Sequence, residues 1–376
     1  MRGPQSRELG PNAGRRVRSI RARVVSATVF ERTLDLREPY AIAYQDNVGR
    51  ARILFLRVEI SDGLVGWGSS APDADVIGET PEDAAKALND LAADLEGGDA
   101  WRIGWWHDRF ERRHPASPSA RAAASIALYD LLGKRARMPL YRLLGFFRPR
   151  IVTSVTIGLM DVDRAVRAAR RRVKEGFRIL KIKGGRDWRE DARRVLEVRE
   201  AVGTRVKIRF DANQGYSPED ALSFIRAVGR QIELLEQPTH AQHLFSLKEV
   251  TSRSPVPIMA DESILTFADS FRIAQGEAAD MVNLKLMKVG GIRTFLKANS
   301  VAEAAGLEAM VGCMDESRIS IAAALHLALA TKNVEMADLD GHLDLVGDPA
   351  RGGVVLQDGY LLPVDAPGLG VEVELG

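Results

Sequence analysis

Three apolar runs of the sequence end in an acid at a constant interval. Asp211 closes "VKIRFD", Glu236 closes "IELLE" and Asp261 closes "VPIMAD", each 25 residues from the next. A constant interval means that one structural unit repeats, so the three carboxylates occupy equivalent rungs. Three hard oxygen donors without Cys or His suit Mg²⁺, which keeps coordination positions open for water or substrate. Lysines close the runs on either side, in "FRILKIKGG" (177–185) and "MVNLKLMKVGG" (281–291). Strand alternation puts Lys181 and Lys183 on one face, opposite Ile182. If these runs are strands two and six of an eight-strand ring, Lys183 and Lys285 are diametrically opposed. A carbon held between them can lose a proton from one face and regain it on the other. Burial and nearby like charge depress a lysine pKa enough for it to act as a base, and Lys181 supplies such a charge.

The elements that must position these groups follow from the patterning. Beyond Arg150, eight short apolar runs alternate with amphipathic helical stretches such as "DRAVRAARRRVKEG" and "PEDALSFIRAVG". This α/β texture predicts a (β/α)8-type barrel, in which a site is built at the carboxyl ends of the strands. Before it, β-branched runs such as "RARVVSATVF" and "ARILFLRVEI", separated by a long polar loop, precede helices. One helix opens at Thr80 with Pro81, Glu82 and Asp83 in its first turn. The expected organisation is a disordered leader (1–18), an N-terminal α+β capping domain (19–145), the barrel (146–342), and a C-terminal segment (343–376) packing on the cap. The cap loops "REPYAIAYQDNVGR" and "SSAPDADVIGET" are expected to close the barrel mouth. The Gly290–Gly291 pair is expected to make a tight turn with backbone N–H groups near the pocket.

Composition excludes several function classes. With 53 Lys and Arg against 51 Asp and Glu, the net charge of +2 leaves no nucleic-acid footprint. No run of about 18 apolar residues is present to span a membrane. Cys313 is the single cysteine, which excludes an internal disulfide and fits a cytoplasmic setting.

Taken together, "KIK", "FDANQ", "EQP", "ADES" and "NLKLMKVGG" resemble the muconate-lactonizing subgroup of the enolase superfamily, over nearly the whole chain after the leader. The resemblance implies a modified TIM barrel with a capping domain. It implies Mg²⁺ on Asp211, Glu236 and Asp261, an acid/base pair of Lys183 and Lys285, and Lys181 at the substrate carboxylate. Lys285 is taken rather than Lys288 because it stands at the strand end, whereas Lys288 is expected to begin the following loop.

The subgroup's reactions include cycloisomerisation, o-succinylbenzoate synthesis, N-acylamino acid racemisation and dipeptide epimerisation. "ADLDG" places Asp338 and Asp340 on one side of strand eight, and two inward carboxylates need a cation. A substrate α-ammonium satisfies them, and this Asp-x-Asp pair resembles the dipeptide epimerases of the subgroup. The expected event is epimerisation, through an enediolate, at the α-carbon of the C-terminal residue of a dipeptide. An N-acylamino acid racemase or o-succinylbenzoate synthase would leave both acids unpaired at a cost of several kcal/mol. A non-catalytic barrel would need no opposed bases. Asp73 and Asp315, with Asp75 and Glu316 beside them, predict an acidic pocket wall. Such a wall favours cationic or neutral side chains, unlike the similar L-Ala-D/L-Glu epimerases, provided that Arg37, Arg50 and Arg318 point away. A homo-oligomer is expected from barrels of this type.

Overall fold

The computed structural model describes residues 22–375, so the leader lies outside the described residues. The cap begins with a long antiparallel hairpin, β1 (Val24–Ile42) and β2 (Gln45–Ile60), continued by β3 (Val65–Ser70). Helices α1 (Ala74–Ile77), α2 (Pro81–Leu95), α3 (Ile103–Arg113), α4 (Pro118–Ala136) and α5 (Leu140–Leu144) follow. As the sequence predicts, Thr80 caps α2 by accepting from Asp83 N at 3.1 Å. The polar loop expected between β1 and β2 is instead strand almost to its tip. Pairing persists to Ile42–Gln45 through two register shifts, which let polar residues continue the ladder over the barrel mouth.

The expected first barrel run divides in two, because β4 (Ile151–Val152) leaves the ring to pair with the tail. The barrel strands are β5 (Val155–Ile157), β6 (Ile179–Lys183), β7 (Lys207–Asp211), β8 (Leu235–Glu236), β9 (Ile258–Ala260), β10 (Met281–Lys285), β11 (Glu308–Gly312) and β12 (Val334–Asp338). They form one parallel eight-stranded sheet in sequence order. A parallel bridge between Thr153 and Ala337 closes the ring. Between the strands run α6 (Val162–Lys174), α7 (Trp188–Val202), α8 (Pro218–Val228), α9 (Leu244–Arg253), α10 (Phe267–Gly276), the one-turn α11 (Leu286–Val289), α12 (Ile292–Ala304) and α13 (Arg318–Ala330).

Alternation sorts the strand residues into two environments. Ile208, Phe210, Val282, Leu284, Ala309 and Val311 face outward into the large core shared with the helices. Inside, Leu234, Met259, Met281 and Met310 form a separate apolar floor. Two residues further along the same faces stand Glu236 and Asp261, four further stands Lys285, and Asp211 ends β7 level with Glu236. The barrel is therefore apolar below and ionic above, and the switch occurs within single strands.

The tail contributes β13 (Leu345–Val346), β14 (Ala350–Gly352), β15 (Val354–Gln357), β16 (Tyr360–Pro363) and β17 (Val371–Val373). It touches both halves of the molecule: β13 pairs with β1 of the cap, while β16 pairs with β4 beside the barrel. Asp130 on α4 locks part of this arrangement. Fully buried, it accepts from Trp67 N at 3.0 Å, Leu369 N at 2.9 Å and Lys134 Nζ at 2.7 Å. Asp130→Ala strands all three donors, so urea unfolding is expected to show a loss of about 3–5 kcal/mol. An unchanged midpoint would mean that the tail is held elsewhere.

Candidate active site

The ionic upper layer faces a cavity of about 430 Å³ between the barrel mouth and the cap. Strands three to five bring Asp211, Glu236 and Asp261 together, with oxygens within 4.8 Å of one another and exposures of 0–1%. Lys181 lies among them, its Nζ 3.0 Å from Asp211, 2.9 Å from Glu236 and 2.8 Å from Asp338. Lys183 donates to Asp211 at 2.7 Å and Lys285 to Asp261 at 2.8 Å. On the eight-strand ring, β6 and β10 stand four places apart, so Lys183 and Lys285 approach the centre from opposite sides.

These contacts set the charge states. Burial alone would push Asp261 up, but Lys285 and Lys288 hold it well below the usual carboxylate range. Asp211 is lowered too, as Lys183 and Lys181 outweigh burial. Glu236 is pushed up to about 7 by burial and by the neighbouring Asp211. Its Oε1 accepts from Asn283 Nδ2 at 2.8 Å, whereas buried Oε2 is ion-paired with Lys181 Nζ at 2.9 Å but makes no hydrogen bond among the described residues. An all-oxygen trio of this span, with one carboxylate oxygen ion-paired but not hydrogen-bonded, fits a hard divalent ion. Gly312 permits the approach of Asn283, since a Cβ there would lie 2.5 Å from Asn283 Oδ1.

The last strand differs in detail from expectation. Asp338 is already occupied on both oxygens, by Ser154 Oγ at 2.6 Å and Lys181 Nζ at 2.8 Å. Asp340 Oδ2 accepts from Thr156 N at 2.6 Å, and its Oδ1 has only the Cys313 thiol at 4.0 Å. Asp340 is therefore the freer acceptor of the pair. Burial and then Asp338 push it up to about 6. The cap hairpin supplies Tyr40, Ile42, Tyr44 and Val48 to the cavity, and the α1 segment supplies Asp73 and Val76. Tyr40 donates to Asp315 Oδ2 at 2.9 Å, and burial pushes Asp315 up to about 7. Asp73 is half-spent as the cap of α1, accepting from Asp75 N and Val76 N. Arg186, after β6, pins the hairpin through Ala43 O at 3.0 Å, Ile42 O at 2.8 Å and Asp46 at 2.6 Å.

Three expectations need correction. Lys288 does not begin a loop: it lies in α11, fully buried, with its ammonium on Asp261 and on Asn283 O. Its i,i+3 spacing from Lys285 was the available signal. Lys285 is not depressed by like charge. Burial lowers it most, but Asp261, Glu236 and Glu262 together outweigh burial and Lys181, and its pKa is raised. The Gly290 and Gly291 N–H groups turn back to Leu286 O rather than to the pocket. Both glycines are needed for packing on α4, where a Cβ would meet Arg121 at 2.9 Å and Ser125 at 2.5 Å. Arg37, Arg50 and Arg318 do not line the cavity. Arg164, Arg171 and Arg172 do, at the α6 rim, where Arg171 pairs with Glu38 at 2.6 Å and Arg172 with Asp344 at 3.2 Å.

Residues 24–145 match the mandelate racemase / muconate lactonizing enzyme N-terminal domain family, and residues 164–375 the enolase C-terminal domain-like family. The chain is 39% identical over 341 residues to a hydrophobic dipeptide epimerase of Enterococcus faecalis, covering 90% of this chain and 96% of that protein. It is 40% identical over 339 residues to an L-Lys-D/L-Arg epimerase of Methylococcus capsulatus, covering 89% and 95%. A crystal structure of an E. faecalis dipeptide epimerase with Mg and L-Leu-L-Tyr superposes with a TM-score of 0.91, at 38% identity over 93% of this chain and 99% of that one. An M. capsulatus dipeptide epimerase with Mg and L-Arg-D-Lys gives 0.89, also at 38% identity, over 94% and 100%.

The raised acids predict a pH dependence. With a chelator present, folded Asp315, Glu316 and Asp340 keep protons up to about pH 6–7. The unfolded chain releases them near pH 4. The native state then binds more protons, so these groups make stability fall as pH rises from about 4 to about 7, by at most about 1.4 kcal/mol per pH unit for each proton. Urea midpoints across this range should fall less steeply in Asp315→Asn. An unchanged slope would mean that Asp315 ionises normally.

Proposed function

Because the chain belongs to the mandelate racemase / muconate lactonizing enzyme family, we propose that it is a Mg²⁺-dependent dipeptide epimerase, an isomerase that inverts the α-carbon of the C-terminal residue. One observation carries this reading: two diameters cross at the barrel mouth. One runs from the acid trio centred on the fourth strand, β8, to Asp338 and Asp340 at the eighth, β12. The other joins Lys183 on the second strand to Lys285 on the sixth. A substrate with a carboxylate at one end and an ammonium at the other fits the first diameter. A dipeptide, reaching about 7 Å over two residues, is such a substrate, and its C-terminal α-carbon lies where the second diameter crosses.

Asp211, Glu236 and Asp261 would hold Mg²⁺, which would supply positive charge beside the substrate carboxylate. Lys181, bridging Asp211, Glu236 and Asp338, adds a fixed positive charge beside the same carboxylate. Lys183 and Lys285 work from opposite faces, one taking the α-proton and the other delivering one, with roles exchanged in the reverse direction. Asp340, with Asp338 behind it, accepts the N-terminal ammonium. An N-acylated substrate would offer Asp340 no cation.

Asp73 and Asp315, with Tyr40 beside them, give the cavity an acidic wall, and two of the three rim arginines are already paired with acids. This supports a preference for cationic or neutral side chains, and similarity to an L-Lys-D/L-Arg epimerase points the same way. The lone Cys313 fits a cytoplasmic setting, and sedimentation would measure the expected homo-oligomer.

The decisive experiment incubates the protein with Mg²⁺ and a mixed dipeptide library in D₂O, with mass spectrometry reading a gain of about 1 Da. Labelled dipeptides, cationic ones foremost, are expected. Labelling confined to N-acylamino acids would instead assign the racemase reaction. Lys183→Ala and Lys285→Ala should each abolish epimerisation, a fall of at least about 10³-fold, and full two-way turnover by either would refute the opposed bases. Glu236→Gln should weaken Mg²⁺ binding in calorimetry by about 100-fold, and undiminished affinity would remove Glu236 from the ion site.

A further inference from the structure

The seam that closes the barrel, where the start of the first strand meets the last, also builds the acid pair. Thr153 Oγ1 accepts from Leu339 N at 2.9 Å, Ser154 N donates to Ala337 O at 3.1 Å, and Thr156 N donates to Asp340 Oδ2 at 2.6 Å. In this row of contacts, one side chain reaches the carboxylate of Asp338: Ser154 Oγ, at 2.6 Å from Oδ1.

The sense of that hydroxyl is fixed from below. Arg209 lies on the inner face of β7, two residues before Asp211, and is 1% exposed. Its Nε donates to Glu233 Oε2 at 2.9 Å, and its Nη1 donates to Ala337 O at 3.1 Å and to Ser154 Oγ at 3.4 Å. A guanidinium has no acceptor, so Ser154 meets Arg209 with a lone pair, and of the two acceptors left to its proton the Asp338 carboxylate at 2.6 Å prevails over Ala337 O at 3.3 Å. Lys181 holds the other oxygen of Asp338 at 2.8 Å. Ser154, Lys181 and Asp338 are exposed by 0%, 2% and 4%, so no solvent competes for these bonds.

We propose that Ser154, oriented by Arg209, is a positioning residue for recognition of the substrate ammonium. Resting on the dipeptide-epimerase reading, it acts by keeping Oδ1 of Asp338 off Lys181, which holds Oδ2 alone. Without the hydroxyl, Asp338 is free to turn both oxygens onto Lys181. The second lone pair of Oδ1, which the single Ser154 bond leaves available, is then withdrawn from the ammonium, and Asp340 is left to bind it alone. The effect falls on binding of the amine and not on the proton transfers at Lys183 and Lys285.

The test compares wild type, Ser154→Ala and Ser154→Thr on one turned-over dipeptide, with its N-acetylated form as a competitive inhibitor. For Ser154→Ala, KM is expected to rise about tenfold, with kcat within about threefold of wild type. The inhibition constant of the N-acetyl form, which presents no ammonium, should change less than about twofold. Ser154→Thr, which keeps a hydroxyl, should recover most of the loss. An unchanged KM in Ser154→Ala overturns the proposal. So does an equal rise in KM and in the N-acetyl constant, which marks general damage to the barrel. If Ser154→Thr does not fold, the Ala comparison decides alone. If wild type turns over no dipeptide, the proposed function fails first. The Ser154 proposal is then decided separately by calorimetric binding of the same dipeptide and its N-acetyl form.

Discussion

Three carboxylates within 4.8 Å of one another, almost without solvent, are the constraint around which this protein is arranged. Two like charges about 4 Å apart repel by about 4 kcal/mol at an effective dielectric constant of 20, and a third adds to it. Such a cluster survives only if cations are placed with equal precision. The chain provides Lys181, Lys183, Lys285 and Lys288, each touching at least one of the acids. On the proposed function, the same ammonium groups that make the trio tolerable stand where an anionic substrate edge and its α-proton would lie. Charge balance and catalytic geometry are thus one arrangement.

The fold meets this constraint by confining charge to one level. Methionine and leucine fill the barrel floor, and polar groups begin a residue or two from the strand ends. Buried acids would be costly anywhere else in the core. The exception is Arg209, which descends toward the floor but is neutralised by Glu233 and bonded along the seam. The cap completes the enclosure from above. Its hairpin arrives as continuous strand, pinned by Arg186 at the tip and joined to the seventh strand end through Tyr40 and Asp315. An aromatic and acidic roof therefore closes over the ionic layer, which limits what enters by charge as well as size.

Much of this was legible in the residues. The even spacing of Asp211, Glu236 and Asp261 follows from a repeating βα unit, and a repeating unit must bring equivalent positions to one ring. The parity of Lys181 and Lys183 follows from strand alternation. The cap of α2 at Thr80 follows from local hydrogen-bond chemistry. What escaped was set by partners distant in sequence. Lys288 read as a loop residue because its i,i+3 spacing from Lys285 is a weak local signal that does not name Asp261, the distant partner on which one turn of helix places it. Asp338 read as a free acceptor because Ser154, 184 residues away, is invisible to local pattern. The direction of the Lys285 shift was misjudged because it depends on how many acids converge, not on the single neighbouring lysine.

Periodicity and residue type alone determined that this chain forms an eight-unit barrel, with acids and lysines gathered at its mouth. Both act through bonds between near neighbours, which a sequence displays. Only the tertiary structure decided which carboxylate oxygens are already spent and which remain open. That depends on ring closure, which joins the first strand to the last and brings together groups that no local rule connects.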